Sequence, residues 1–196
     1  MTNETDSPTS RRMKARILTS VVEVVAMQGL SGTTLAKVAD RAGVSQGVLV
    51  FHFKSKSGLL NATCRHLIED YMQLWQPALD LINPAERITG LVRADFDPSI
   101  CSPQQLALWF AFWGEGNAHN WYDDFCRDAE RQRTDAMIDT CRALVPSENP
   151  EILAQSIDCF IDGLWLQMHL QGEKVTPQDA QERALGHLHL LLPNIV

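Results

Sequence analysis

Apolar residues recur along this chain at intervals of three and four, and that period predicts helices nearly throughout. Ile17, Val21, Val24 and Val25 make one stripe on a helix from about Arg11 to Gln28, ended by Gly29. Leu35, Val38, Ala39 and Ala42 form the next stripe, with Lys37, Asp40 and Arg41 on the outer side. Thr33 and Thr34 are placed to cap that helix, and Gly43 tolerates the left-handed backbone needed to leave it. Ser45 can cap a short third helix in which Val48, Leu49 and one of Phe51 and Phe53 turn inward, with Gln46, Gly47, Val50 and His52 outward. Longer amphipathic segments follow over residues 58–83, broken near Pro77, then 85–95, 104–114, 119–144, 151–170 and 177–192. No alternating pattern suggests a strand. The expected architecture is all-α with about nine helices: a disordered tail over residues 1–10, a three-helix head over 11–57 and a six-helix body over 58–196.

Charge divides the chain at the same place. Between Ser10 and Leu60, eight Lys and Arg residues stand against only Glu23 and Asp40, a net charge of +6. From Asn61 onward nine basic residues meet twenty acidic ones, so the overall −7 hides a basic head on an acidic body. The five cysteines are odd in number and widely spaced without a Cys-x-x-Cys pair, which argues for free thiols in a reducing compartment. The polar, acidic first ten residues are unlike a signal peptide, and no apolar run is long enough for a membrane span. A cytoplasmic protein is therefore expected.

Leu35 to Lys56 reads as a helix, a three-residue turn and a second short helix with a free outer side. An Ala-Gly-Val turn between amphipathic helices also occurs in proteins that never meet DNA. The local positive charge favours DNA, because phosphate binding needs a basic patch and not a basic average. A recognition helix presents its N-terminal residues to base edges, and here those are Ser45, Gln46 and Gly47.

The run TTLAKVADRAGVSQGVLVFHFKSKSGLL, from Thr33 to Leu60, resembles the DNA-binding signature of the tetracycline-repressor (TetR) family of bacterial regulators. The resemblance implies phosphate contacts from His52 and Lys56, and an approach to DNA by Thr34, Ser45, Gln46 and Gly47. With Thr33, Lys37, Val50 and Lys54 these are the expected DNA-binding residues. Val50 stands where many members carry a tyrosine, so either a phosphate hydrogen bond is lost or the valine touches a thymine methyl. The segments GVSQGVLVFHFKSKSGLLNATCRHL, the Phe-Asp-Pro at Phe96, WFAFW from Trp109 to Trp113 and IDGLWL from Ile161 to Leu166 are similar to the choline-responsive BetI-type subfamily.

In the 151–170 segment, Ile152, Leu153, Ile157, Phe160, Ile161, Leu164, Trp165 and Met168 cover far more than one stripe, so the excess is buried in a large core or in a partner. The family resemblance implies that the two C-terminal helices pack against their copies as a four-helix bundle. It puts Ile157, Phe160, Leu164, Met168, Leu185 and Leu188 at a homodimer interface. Two-fold symmetry would then set two recognition helices ~34–36 Å apart on a near-palindrome.

Trp109, Phe112, Trp113 and Gly116 recur at helical spacing, Trp121, Tyr122 and Phe125 follow, and Trp75 and Trp165 come from other helices. Large aromatics at such spacing are more often core than ligand cage. Their concentration beside Glu115, Asn117, His119, Asp123 and Asp124 nevertheless fits an organic cation. The candidate effector residues are Trp75, Trp109, Phe112, Trp113, Asn117, Trp121, Tyr122 and Trp165.

Enzyme readings find no support. There is no Gly-x-Ser-x-Gly elbow, no phosphate-binding Gly-Lys-Ser/Thr loop and no His-Glu-x-x-His pair. His187 and His189, two apart on a helix, point to nearly opposite sides and cannot share a metal. No cofactor is expected. Two readings remain: a homodimeric repressor that a small effector releases from operator DNA, and a helical ligand-binding or interaction protein whose head has lost operator binding.

Overall fold

The computed structural model describes residues 7–115, 124–146 and 149–193. Among them all regular structure is helical, with nine helices of eight residues or more and one single-turn segment. In chain order these are α1 (Pro8–Gly32), α2 (Leu35–Ala42), α3 (Gln46–Phe53), α4 (Lys56–Trp75), α5 (Pro84–Ala94), the single turn α6 (Pro98–Cys101), α7 (Pro103–Glu115), α8 (Asp124–Leu144), α9 (Pro150–Gln171) and α10 (Pro177–Leu191). Short 3₁₀ turns follow α4 (Gln76–Asp80) and α9 (Gly172–Lys174).

A polar cap followed by proline starts helix after helix. Ser7-Pro8, Asn83-Pro84, Asp97-Pro98, Asn149-Pro150 and Thr176-Pro177 each put a side-chain acceptor under the first free amides, and a residue with no amide hydrogen at the first helical position. Ser102 does the same for Gln105 ahead of Pro103. At Thr176 the cap is reciprocal, since the Asp179 carboxylate accepts from the Thr176 amide. The Ser7 cap makes residues 8–10 the first turn of α1 and not part of the tail. At the other end of that helix Gly29, with φ 70° and ψ 171°, breaks the regular backbone where the sequence predicts the stop. The 58–83 segment breaks near Pro77 as its sequence predicts: α4 starts at Lys56 and ends at Trp75, and Pro77 sits in the tighter 3₁₀ turn. Residues 119–123, expected to open the next helix, lie outside the described residues.

The chain divides into two compact units, residues 1–66 with 107–123, and residues 67–106 with 124–196. The division falls within α4 and α7, so the unit holding the head extends past the expected border at residue 57. In the first unit Ile17 and Val21 of α1, Val38 of α2, Leu49 of α3 and Leu59 of α4 are buried. In the second, α8 packs on α5 and α9, and α10 on α9 and α5, around Ile88, Leu91, Phe96, Met137 and Leu164.

Candidate nucleic-acid interface and effector region

The helix-turn-helix is built as its residues dictate. Thr34 Oγ1 accepts from the Lys37 amide at 3.3 Å and caps α2. Gly43 leaves the helix at φ 63° and ψ 39°, and its amide and that of Val44 close on Asp40 and Ala39. On α3, Leu49 and Phe53 are buried, while Gln46, Gly47, Val50, Phe51 and Lys54 are exposed and His52 is half-buried. Ser45 occupies the N-cap position but its side chain makes no capping bond.

Several expected DNA contacts have another employment. Thr33 is buried, and its hydroxyl donates to the Gly29 carbonyl at 2.8 Å, closing the bend in α1. It is not on the outer surface, a correction to its expected role. The Lys37 ammonium donates to the Gly32 carbonyl at 2.7 Å and to Gln28. Lys56 is half-buried, and its ammonium donates to the Leu30 carbonyl at 2.7 Å, bracing the start of α4 against the end of α1.

The corner from α3 to α4 is tight. The Ser55 amide donates to the Phe53 carbonyl at 2.8 Å across Lys54, which takes φ 68° and ψ −42°, a γ-turn geometry that L-residues adopt at a cost. Gly58 is required there, because a Cβ would lie 2.1 Å from the Phe53 oxygen. Lys54 donates to the Phe51 carbonyl at 2.8 Å and sits 5.6 Å over the Phe51 ring. Phe51 is 71% exposed, an aromatic on the outer side of α3 that the sequence reading left undecided against Phe53.

The body holds an arrangement that no local pattern announces. Arg133 of α8 donates through Nη2 to Asp95 Oδ2 at 2.9 Å and through Nε to Tyr71 Oη at 3.1 Å, and Tyr71 donates to the other Asp95 oxygen. The Arg133 and Asp95 side chains are only 10% and 3% exposed. Trp165 of α9 donates to the Asp95 carbonyl at 2.8 Å. Burial pushes the Asp95 carboxyl up, against the pull of Arg133 and Tyr71. Burial works most strongly against the Arg133 charge, but the charges of Asp95, Tyr71 and Asp158 and the hydrogen bond to Tyr71 together outweigh it and hold the guanidinium protonated. Burial, opposed by Arg133 and reinforced by Asp95 and Asp162, raises Asp158 of α9 to about 6, and Asp162 is raised as well. The thiols of Cys101 and Cys141 are pushed up to about 12, chiefly by burial, and none of the five cysteines forms a disulfide.

The described candidate effector residues divide between the two units. Trp75 and Trp165 are buried in the second unit, and Trp109 and Phe112 are buried in the segment belonging to the first. Trp113 is exposed and stands 6.3 Å from Trp109 and 5.3 Å from Phe110, centroid to centroid. Asn117, Trp121 and Tyr122 lie outside the described residues.

Family models agree with this construction. Residues 17–63 match the bacterial regulatory proteins of the tetR family, and residues 84–193 match the BetI-type transcriptional repressor C-terminal domain. A BetI transcriptional regulator of Paraburkholderia phymatum is 31% identical over 188 residues, spanning 91% of this chain and 92% of its own length. The chain belongs to the TetR family, with a BetI-type body. It is a transcriptional regulator and not an enzyme. Solved structures share the fold: a Pseudomonas aeruginosa putative transcriptional regulator superposes with a TM-score of 0.79 at 22% identity, covering 94% of this chain and 92% of that one. A Saccharomonospora viridis putative regulator, solved in complex with choline, superposes at 0.77 and 18% identity, covering 91% and 96%.

Four of the six expected dimer residues of this TetR-family chain need a correction. Ile157, Leu164, Met168 and Leu188 are buried within the chain's own core, and Phe160 and Leu185 are half-buried. Phe160 stacks on His187 at 3.9 Å between ring centroids. The outer side of α9 carries Cys159, Gly163, Leu166 and Leu170 instead. Among the described residues no helix is long and apolar enough to cross a membrane.

Proposed function

We propose that this chain is a repressor acting in the bacterial cytoplasm as a homodimer, which grips a near-palindromic operator with the outer side of α3 and releases it when a small organic cation binds the body. The observation that carries the reading is the free side of α3. Gln46, Gly47, Val50, Phe51 and Lys54 are all exposed on a helix whose Ser45 hydroxyl is not spent on capping. Gln46 is the side chain suited to a base edge, and Lys54 suits a phosphate. Lys37 and Lys56 have backbone carbonyls to hold, so their phosphate contacts are additional to a bracing role.

The second copy fits the outer side of α9 and α10. Cys159, Gly163, Leu166 and Leu170 follow one another along α9, and Gly186 and Leu190 along α10, all exposed. A Cβ at Gly163 or Gly186 would meet nothing within 4 Å, so each glycine leaves room for a close approach by another helix. An effector of the choline kind is supported by the Saccharomonospora viridis regulator solved with choline. Release requires the effector to prefer the conformer that does not bind operator, and a hundredfold release needs ~2.7 kcal/mol of preference.

Footprinting on the DNA upstream of the chain's own gene, with and without choline, tests the reading. The expected result is a protected near-palindrome whose occupancy falls steeply with salt and is lost on adding choline. Absent or salt-insensitive protection would leave a helical ligand-binding protein without operator function.

A further inference from the structure

The outer side of α3 offers an amide to a base edge and a cation to a phosphate, but its largest exposed side chain is neither. Phe51 is 71% exposed and Val50 beside it 42%. In α1–α4 the one other large apolar side chain left exposed is Met27 of α1. A scattered apolar residue on a surface needs no reason, whereas an adjacent pair on a free helix side marks a contact. Gln46, Gly47, Val50, Phe51 and Lys54 fall at i, i+1, i+4, i+5 and i+8, so they make one continuous strip along α3. The apolar pair lies between the amide and the cation.

The Phe51 ring is held before anything binds. The Lys54 ammonium stands 5.6 Å over its centroid while donating to the Phe51 carbonyl, and His52 makes an edge contact with it at 5.0 Å. A ring held in this way gives up little freedom on binding. One turn earlier, a Cβ at Gly47 would meet only Ser45 Oγ, at 3.7 Å, so the chain's own packing does not call for glycine there. Alanine would favour the helix, and the clearance that glycine leaves is on the outside, beside Phe51. The basic head draws a polyanion to this side. Phenylalanine has no donor or acceptor for the nitrogen and oxygen atoms of a base edge, and the apolar group that the major groove presents is the C5 methyl of thymine.

We propose that Phe51, with Val50 beside it, is a base-reading residue that commits each operator half-site to thymine, its ring packing on the C5 methyl in the major groove. The proposal rests on the operator reading above and deepens it. Gln46 selects a hydrogen-bonding edge, Phe51 selects a methyl, and Lys54 anchors a nearby phosphate. An apolar contact releases no counterion, so this part of the recognition is independent of salt.

Fluorescence anisotropy of the full chain on the footprinted operator tests this, with each thymine replaced singly by deoxyuridine, which pairs identically and lacks the methyl. Wild type is expected to lose about fourfold at one position in each half-site, the worth of one buried methyl. Phe51→Ala should bind the unmodified operator more weakly and be indifferent to deoxyuridine at that position. Its salt dependence should match wild type, whereas Lys54→Ala lowers the slope by about one. Gln46→Ala should keep the deoxyuridine penalty. Because Phe51 is exposed, the alanine variant is expected to melt as wild type does, and Phe51→Gln takes its place if it does not. Operator binding in which no thymine methyl matters, or an equal penalty in Phe51→Ala and wild type, overturns the proposal and leaves the operator reading intact. A penalty erased by Val50→Ala and kept by Phe51→Ala also overturns it. Absence of any protected DNA overturns both.

Discussion

The head and the body of this regulator handle charge in opposite ways. In the head, cations stand at the surface and their bonds are to backbone carbonyls or to solvated partners: Lys37 to Gly32, Lys54 to Phe51, Arg41 to Glu23. Such bonds hold a side chain in place at little cost and leave its charge in water, available to a polyanion. In the body the central cation is removed from water and tied by Asp95 and Tyr71 across α4, α5 and α8. Desolvation there is expensive, so a partner lost is felt at once. A surface that exchanges ions with DNA suits the first arrangement. A two-state interior that answers a small ligand suits the second, where a few polar groups decide which packing wins.

The sharpest way to break the comparison is Arg133→Met, which strands Asp95 in the interior. Chemical denaturation should show the body losing about 3–5 kcal/mol, and Asp95→Leu added to it should restore much of the loss. A wild-type-like melt for the single variant would mean that the node is not held as described. Gly58→Ala comes next, at about 2–4 kcal/mol, because the new Cβ has no room against the Phe53 oxygen. Mobility-shift assays should show operator binding lost with it.

Lys56→Ala removes both a brace and a charge. A loss of about 1 kcal/mol in stability is expected, together with weaker operator binding by a similar factor on every sequence. Gln46→Ala should change base preference instead, and an identical, sequence-blind effect from both variants would misplace the recognition helix.

Asp158→Asn sharpens the comparison through its sign. The folded-state value of about 6 lies above the ordinary 3.8, so ionisation costs stability as pH rises from about 4 through 6. The asparagine variant should therefore melt higher than wild type at pH 7.5, by about 1–2 kcal/mol, and equal to it near pH 4. A variant less stable at both values would refute the assignment. Glu23→Gln, which cuts the exposed Arg41 pair, should leave the melt unchanged within error.

Much of the head was legible because its determinants are local. The stripe of Leu35, Val38, Ala39 and Ala42, the Gly43 exit and the exposed α3 residues all follow from spacing within one or two turns. The capping Ser, Asp, Asn and Thr residues before prolines are equally local, and the Ser7-Pro8 pair marks the start of α1. Periodicity fails where a helix is apolar all round. It left Ile157, Leu164 and Met168 of α9 open between core and partner, and the family resemblance put them at a partner, yet these fill the chain's own core, and Leu166 and Leu170 are the ones left outside. Neither could spacing choose between Phe51 and Phe53, which differ only in what the rest of the head places against them.

The amino-acid order by itself determined the all-helical class, the helix-turn-helix and the separation of a basic head from an acidic body, because propensity, capping and charge act over a few residues. The tertiary structure alone decided which apolar side of α9 faces inward, that Thr33 and Lys56 brace the head, and that Tyr71, Asp95, Arg133 and Trp165 meet. Those partners lie 24 to 70 positions apart. Burial and long-range hydrogen bonds depend on which helices pack together, and no local period along the chain carries that information.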